Sequence, residues 1–167
     1  MRTLPQANAD MEELAKKLQD ERTGLLTVAD AQGALGCRPM TAQELDGTGA
    51  VWMMVSRKAP WLSSTNKAQA NLAFAIPAEG DYVCIAGRLE FVDELERKRA
   101  LWTVVARPWW DGPDDPDLLL LKLVPSSIEV WDGPSGAIAR TLSLAASVIA
   151  GKEVGLGEKQ VITPARI

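Results

Sequence analysis

Histidine is absent from all 167 residues. Its absence excludes most zinc sites, Ser-His and Cys-His nucleophilic systems and histidine-ligated haem, each of which needs an imidazole as ligand or base. An enzyme built without that group leaves the chemistry to a cofactor. Cysteine is scarce: Cys37 and Cys84 fall inside predicted strands with no CxxC spacing, and both are read as buried, reduced thiols. Long apolar runs are missing too. The longest, 118–121, is far short of a membrane span, and the opening MRTLPQANADMEEL has no signal-peptide core, so a cytoplasmic location is expected. Positive charge neither dominates nor clusters: 18 Lys and Arg stand against 22 Asp and Glu. Neither nucleic acid nor a membrane surface is therefore an expected partner.

What is present fits one soluble globular domain. The hydrophobic share is 47% and the charged share 24%, on a chain long enough to bury a sizeable core without staples. The rest of the chain is organised around residues 118–136, LLLLKLVPSSIEVWDGPSG. So apolar a run is expected to be buried on both faces. Pro125 interrupts it, the direction resumes over 128–131, and the Asp-Gly-Pro-Ser-Gly from 132 reads as a fixed corner.

Upstream, Asp10 and Glu13 form a variant capping box for a helix over 10–22, with Met11, Leu14, Ala15 and Leu18 on one face and Gly24 just past its end. Thr23–Ala29 is a short strand, the turn 30–33 places Gly33 where a positive φ is needed, and a second strand follows to about Glu44. Pro39 inside that strand calls for an edge or an irregularity, since proline has no ladder donor. A turn at 46–49 leads to a third strand over 50–56. Pro60 then suits the first turn of a helix reaching about Gln69.

Strands follow at 71–76 and 81–92. In the second, Val83, Ile85, Leu89 and Phe91 share one face, Tyr82, Arg88 and Glu90 the other, and Gly87 marks a bulge or a close backbone approach. Asp93 and Glu96 cap a predicted helix over 94–106, with Leu95, Leu101, Trp102 and Val105 available for packing and Pro108 as its stop. Trp102, Trp109 and Trp110 are read as packing residues, and the aspartates of 111–117 as turn caps rather than calcium ligands, because Pro113 and Pro116 break any ligand ladder. Ser135 caps a last helix closed by Gly151, and 152–167 are expected to be loosely ordered or draped on a partner. The expected fold is α+β: an antiparallel split β-barrel of about six strands with flanking helices, over 1–151, followed by a C-terminal tail over 152–167.

Three stretches carry a family resemblance: Arg38-Pro39-Met40, the strand YVCIAGRLEFVD at 82–93, and VPSSIEVWD at 124–132 running into GPSG. With the loop WWDGPDDPD at 109–117, their order and spacing resemble the general stress protein 26 group of the pyridoxamine 5′-phosphate oxidase-like FMN-binding split-barrel superfamily, over about residues 10–150. The resemblance implies a homodimer with FMN in two equivalent clefts at the subunit interface. Carried over residue by residue, Arg38 takes the basic position, Pro39, Met40 and Thr41 line the flavin edge, and Val55, Ser56, Arg57 and Lys58 follow on the third strand and its turn. Ser56-Arg57-Lys58 resembles the Ser-Arg-Lys of the oxidases, a hydroxyl and two cations for a dianionic phosphate, ahead of a predicted helix N-terminus. Trp131 is the residue expected to reach the flavin of the partner subunit, an indole being well suited to cover an aromatic ring system.

The sequence also departs from the family. Ala59-Pro60-Trp61 stands where stress-protein relatives commonly carry Ser-Pro-Lys, and the arginine-rich C-terminal substrate motif of the true oxidases has no counterpart after Trp131. Pyridoxamine-phosphate oxidase activity is thus not expected, and no side chain is assignable as acid, base, nucleophile or metal ligand. Read from the residues alone, Arg38 is either a paired edge arginine or a phosphate contact. Arg57 and Lys58 are either a solvated turn or a phosphate cradle, and Trp131 is a packing residue at the corner. Two function classes stand side by side: an FMN-binding flavoprotein with oxidoreductase chemistry, and a degenerate split barrel that binds without flavin. A deazaflavin- or haem-binding relative is the third, with the lack of histidine against haem.

Overall fold

The computed structural model describes residues 14–16, 18 and 20–132, and the backbone of 158–162. Seven strands follow in chain order: β1 (Thr23–Ala29), β2 (Leu35–Leu45), β3 (Val51–Ser56), β4 (Gln69–Ile76), β5 (Asp81–Val92), β6 (Leu118–Asp132) and β7 (Glu158–Ile162). They pair in the order β3-β2-β1-β4-β5-β6-β7, every pair antiparallel, and a further β3–β6 ladder closes six of them into a barrel. The expected antiparallel split barrel of about six strands is therefore the fold.

Strand β6 makes the closure possible. Its first half pairs on one side with β3, from Val51↔Leu123 to Ser56↔Leu118, and on the other with β5. Residues 118–121 and Leu123 are buried because both faces of this half are covered: Leu119, Leu121 and Leu123 point into the barrel, and Leu118 and Leu120 into an outer apolar layer. The interruption expected at Pro125 does not occur. The strand runs through it, because the proline lies opposite Gly87 at a register shift where no regular ladder donor is required. Gly87 is both the bulge and the close approach read from the sequence: a Cβ there would overlap the Val124 carbonyl and sit 2.9 Å from the Pro125 Cα.

The outer layer is held by the helix α1 (Leu95–Leu101). Leu101 packs with Trp52, Leu118 and Leu120 on the outside of the barrel. Trp52 anchors the arrangement: its Nε1 donates to Asp46 Oδ2 at 2.9 Å, and the Arg97 guanidinium of α1 lies 4.2 Å from its ring centroid. Arg97 in turn pairs with Glu44 of β2 at 2.8 Å.

Several expectations about local structure change. The helix expected over 94–106 is α1 followed by a 3-10 turn, Val104–Ala106, and Val105 is exposed rather than packed. Its N-cap is Glu94, with no side-chain cap bond; the Asp93 carboxylate instead pairs with Lys98 at 2.5 Å and Arg57 at 2.6 Å. The helix expected from Pro60 is a 3-10 turn of five residues, Pro60–Ser64, because Lys67 adopts φ 64° and its amide bonds to Leu89 O, turning the chain into β4. Cys37 is exposed and Cys84 half-buried, not buried as expected, since both occupy outward positions beside Thr27 and Ala73. Burial raises the Cys84 thiol pKa, against a lowering hydrogen bond with Asn71. Of the helix over 10–22, residues 14–16 are helical, with Leu14 and Leu18 in the core, while Gly24 lies within β1. The rest of that helix and the last helix from Ser135 lie outside the described residues. The loosely ordered tail expected from 152 does not hold for Glu158–Ile162, which pair with β6 from Ile128↔Ile162 to Asp132↔Glu158.

Replacing Gly87 by alanine drives a methyl into the β6 backbone, and chemical denaturation should show a loss of about 3 kcal/mol. Gly47→Ala, with no atom within 4 Å of the new Cβ, should change stability by less than about 0.5 kcal/mol.

Candidate functional site

The β2–β3 ladder covers only Ala42 to Leu45, with a register shift inside it. The first part of β2, up to Thr41, is therefore paired on the β1 side alone, an edge on which Pro39 forfeits no ladder donor. At this split lies a cleft of about 560 Å³, well within the range of small-molecule sites. Strand β2 contributes Pro39, Met40, Thr41 and Gln43, and β3 contributes Met54, Val55 and Ser56. Facing them are Val105, Ala106, Trp109 and Trp110, and Asp117 completes the lining.

The loop after α1 is folded tightly enough to set both indoles. The amides of Trp109 and Trp110 donate to Ala106 O at 3.0 and 3.2 Å, and their ring centroids lie 6.5 Å apart with planes tilted by 43°. Trp109 is 67% exposed. Trp110 is partly buried, and its Nε1 has no acceptor although no solvent reaches it. Asp115 caps the next turn, accepting from the Asp111 and Asp117 amides at 3.1 and 2.8 Å; the turn-cap reading holds for Asp115, whereas Asp114 pairs with Arg99 and Asp117 accepts from Ser56. Among the described residues no His, Cys, Asp and Glu cluster can hold a metal.

The polar end of the cleft is organised by Asp117. Ser56 Oγ donates to Asp117 Oδ2 at 2.7 Å. The Lys58 amide lies 3.3 Å from Asp117 Oδ1 and 3.2 Å from Ser56 Oγ, and the Arg57 amide donates to the Asp117 carbonyl at 2.7 Å. The Ser56 hydrogen bond holds the Asp117 carboxyl below the usual carboxylate range, against some burial and with help from Lys58 and Arg57.

Of the residues singled out in the sequence, Pro39, Met40, Thr41, Val55 and Ser56 meet in this cleft. Arg57 and Lys58 sit beside it: Arg57 is engaged with Asp93 at 2.6 Å and the Pro116 carbonyl at 3.1 Å, while the exposed Lys58 ammonium lies 3.8 Å from Asp117 at the cleft's polar end. The helix N-terminus expected behind them is only the short 3-10 turn, so it adds no anion site. Arg38 is not brought to the cleft. It alternates with Pro39 onto the other face of β2, where its guanidinium lies 4.0 Å from the Trp61 ring centroid beside a separate cavity of about 240 Å³. Trp131 lies near the far end of β6, opposite Tyr82 of β5 and Lys159 of β7, and does not line the cleft. The packing read for Trp102 and Trp110 holds, since both lie against the outer apolar cluster, whereas Trp109 is exposed. That Trp109, Trp110 and Asp117 also line the cleft is not legible in the sequence, where the adjacent indoles after Pro108 are the one available signal.

A closed six-stranded antiparallel barrel with an apolar, aromatic-walled cleft at its split defines a ligand-binding class of small β-barrels. Residues 9–155 match the model of the family described as pyridoxamine 5′-phosphate oxidase like, and the chain belongs to that family. It is 29% identical over 78 residues to general stress protein 26 of Bacillus subtilis (strain 168), a match spanning 46% of this chain and 56%, little more than half, of that relative. Among solved structures, a general-stress-protein-26-type chain of Jannaschia sp. CCS1 is 28% identical with TM-score 0.69, covering 93% of this chain and 99% of its own. The general stress FMN/FAD binding protein of Xanthomonas citri is 25% identical with TM-score 0.65, over 75% of this chain and 90% of that one.

Because the folded-state pKa of Asp117 is lowered, its contribution to stability is complete above the ordinary carboxylate pKa and is lost as pH falls through the lowered value. NMR titration of the side-chain carboxyls should show Asp117 ionising below the usual range, and Ser56→Ala should move that transition upward.

Proposed function

We propose that the cleft holds the ring system of a flavin and that the chain acts as a homodimeric flavoprotein in the cytoplasm, FMN being the form that the family resemblance implies. The observation that carries this reading is the lining itself. Met40, Met54, Val55, Trp109 and Trp110 give a flat heteroaromatic ring apolar and indole surface. Membership of the family, with a relative named for FMN or FAD binding, supports it further.

A bound flavin supplies electron or hydride transfer, which gives the reading its oxidoreductase character. The chain's own residues bind and orient. Among the described residues Asp117 is the sole titratable side chain in the lining, and it is held ionised by Ser56, so no proton donor is assigned. Val104, Val105 and Trp109 form an exposed apolar rim at the cleft, the kind of surface a second copy covers. Trp131 of each subunit then remains the candidate for contact across the interface. Neither cysteine is in a disulfide, in keeping with a reducing compartment, and no helix among the described residues is long and apolar enough to cross a membrane.

Purified protein should show flavin absorbance at about 450 nm or, if isolated empty, quench FMN fluorescence at roughly tens of micromolar; a colourless protein that leaves FMN fluorescence unchanged contradicts the reading. Trp109→Ala should weaken flavin binding by about 3- to 10-fold, the worth of one aromatic contact. Light scattering should give twice the chain mass.

A further inference from the structure

Resting on the flavin reading, we infer that the Asp117 carboxylate acts as a built-in anion at the polar end of the cleft, so that the site selects its flavin by the ring and not by the phosphate. Riboflavin is then bound about as tightly as FMN.

A phosphate dianion needs fixed donors and positive charge within reach. Here the Ser56 hydroxyl and the Lys58 amide already face a carboxylate. The Ser56 hydroxyl donates to Asp117 Oδ2 at 2.7 Å, the Lys58 amide lies 3.3 Å from Oδ1, and the Lys58 ammonium stands 3.8 Å from the same oxygen. Asp117 thus gathers the hydroxyl, amide and ammonium that a phosphate would otherwise recruit.

The remaining cations lie outside the lining. Arg57 donates to Asp93 at 2.6 Å and to the Pro116 carbonyl at 3.1 Å. Arg38 stacks on Trp61 at 4.0 Å on the other face of β2. Among the described residues the lining contains one charged side chain, and it is negative. A phosphate placed beside Ser56 meets a carboxylate at close range, whereas the hydroxyls of a ribityl chain are acceptable partners for both Ser56 and Asp117.

The experiment is a paired titration of the full chain with riboflavin and with FMN, following flavin fluorescence. Two or three cations gripping a phosphate give FMN an advantage well beyond tenfold, so a preference below about tenfold is expected and a larger one overturns the inference. If neither flavin binds, the flavin reading itself falls, an outcome distinct from tight binding of FMN alone. Asp117→Asn, which keeps the shape and removes the charge, should move the affinity ratio toward FMN by about threefold or more; an unmoved ratio overturns the role given to Asp117. Lys58 is 84% exposed, so Lys58→Ala leaves the fold intact. It should move the ratio away from FMN by no more than about threefold, the effect of exposing the Asp117 charge, and a loss beyond tenfold confined to FMN would show that Lys58 grips the phosphate and overturn the inference.

Discussion

The double pairing of β6 is the constraint on which the rest of the structure depends. One half-strand, residues 118–123, is hydrogen-bonded to β3 on one edge and β5 on the other, with side chains buried on both faces. Burying each of those leucines is worth roughly 1.5–3 kcal/mol, against the conformational entropy of closing a barrel from distant strands. The closure removes the edge that β3 would otherwise expose, so it suppresses edge-to-edge association as well as forming the core. It also fixes β3 so that Ser56, at its end, lies opposite Leu118 and next to Asp117. The polar end of the cleft is thus a direct product of the barrel seam.

The cleft exists because the same sheet is incompletely zipped elsewhere. Strand β2 meets β3 over only its last four positions, and the free edge carries Pro39. The outer apolar layer, with Trp52 clamped between Asp46 and Arg97, holds α1 against the barrel and so positions the Trp109 and Trp110 turn across from β2. Burial alone would raise the Asp46 carboxyl, but the hydrogen bonds from the Thr48 and Trp52 side chains and from the Thr48 and Ala50 amides outweigh it and hold it low. The anchor is therefore an ionised group over the whole neutral range. Rigid seam, open edge and clamped loop together make a cleft whose walls are apolar and whose one charge is negative.

Much of this was legible in the residues. The alternation in 81–92, the turn glycines, and the density of leucine in 118–123 each express a local rule whose period or φ demand tertiary context did not override. Gly33 and Gly49 adopt φ 82° and 83°, and Gly87 sits at the bulge. The helices were less legible. Both the 60–69 and 94–106 segments have helical composition, yet they shorten to a 3-10 turn and to α1, because Lys67 and Thr103 are drawn into extended or left-handed backbone by the strands and cluster they must reach. Propensity is a weak prior, and packing at the barrel surface outweighs it.

By itself the sequence determined the fold class and the strand that closes it, because hydrophobic period and turn chemistry are local properties; the β2–β3 residues at the cleft were implied only by the family resemblance. Only the tertiary structure decided what the charged and aromatic residues do. Whether Arg38 faces the cleft or Trp61, whether Arg57 and Lys58 are free or paired, and whether Trp109 packs or lines a wall all depend on groups up to 60 residues away in the chain, such as Asp93 for Arg57 and Asp117 for Lys58. A charge is only as available as its neighbours leave it, and those neighbours are assigned when the barrel closes.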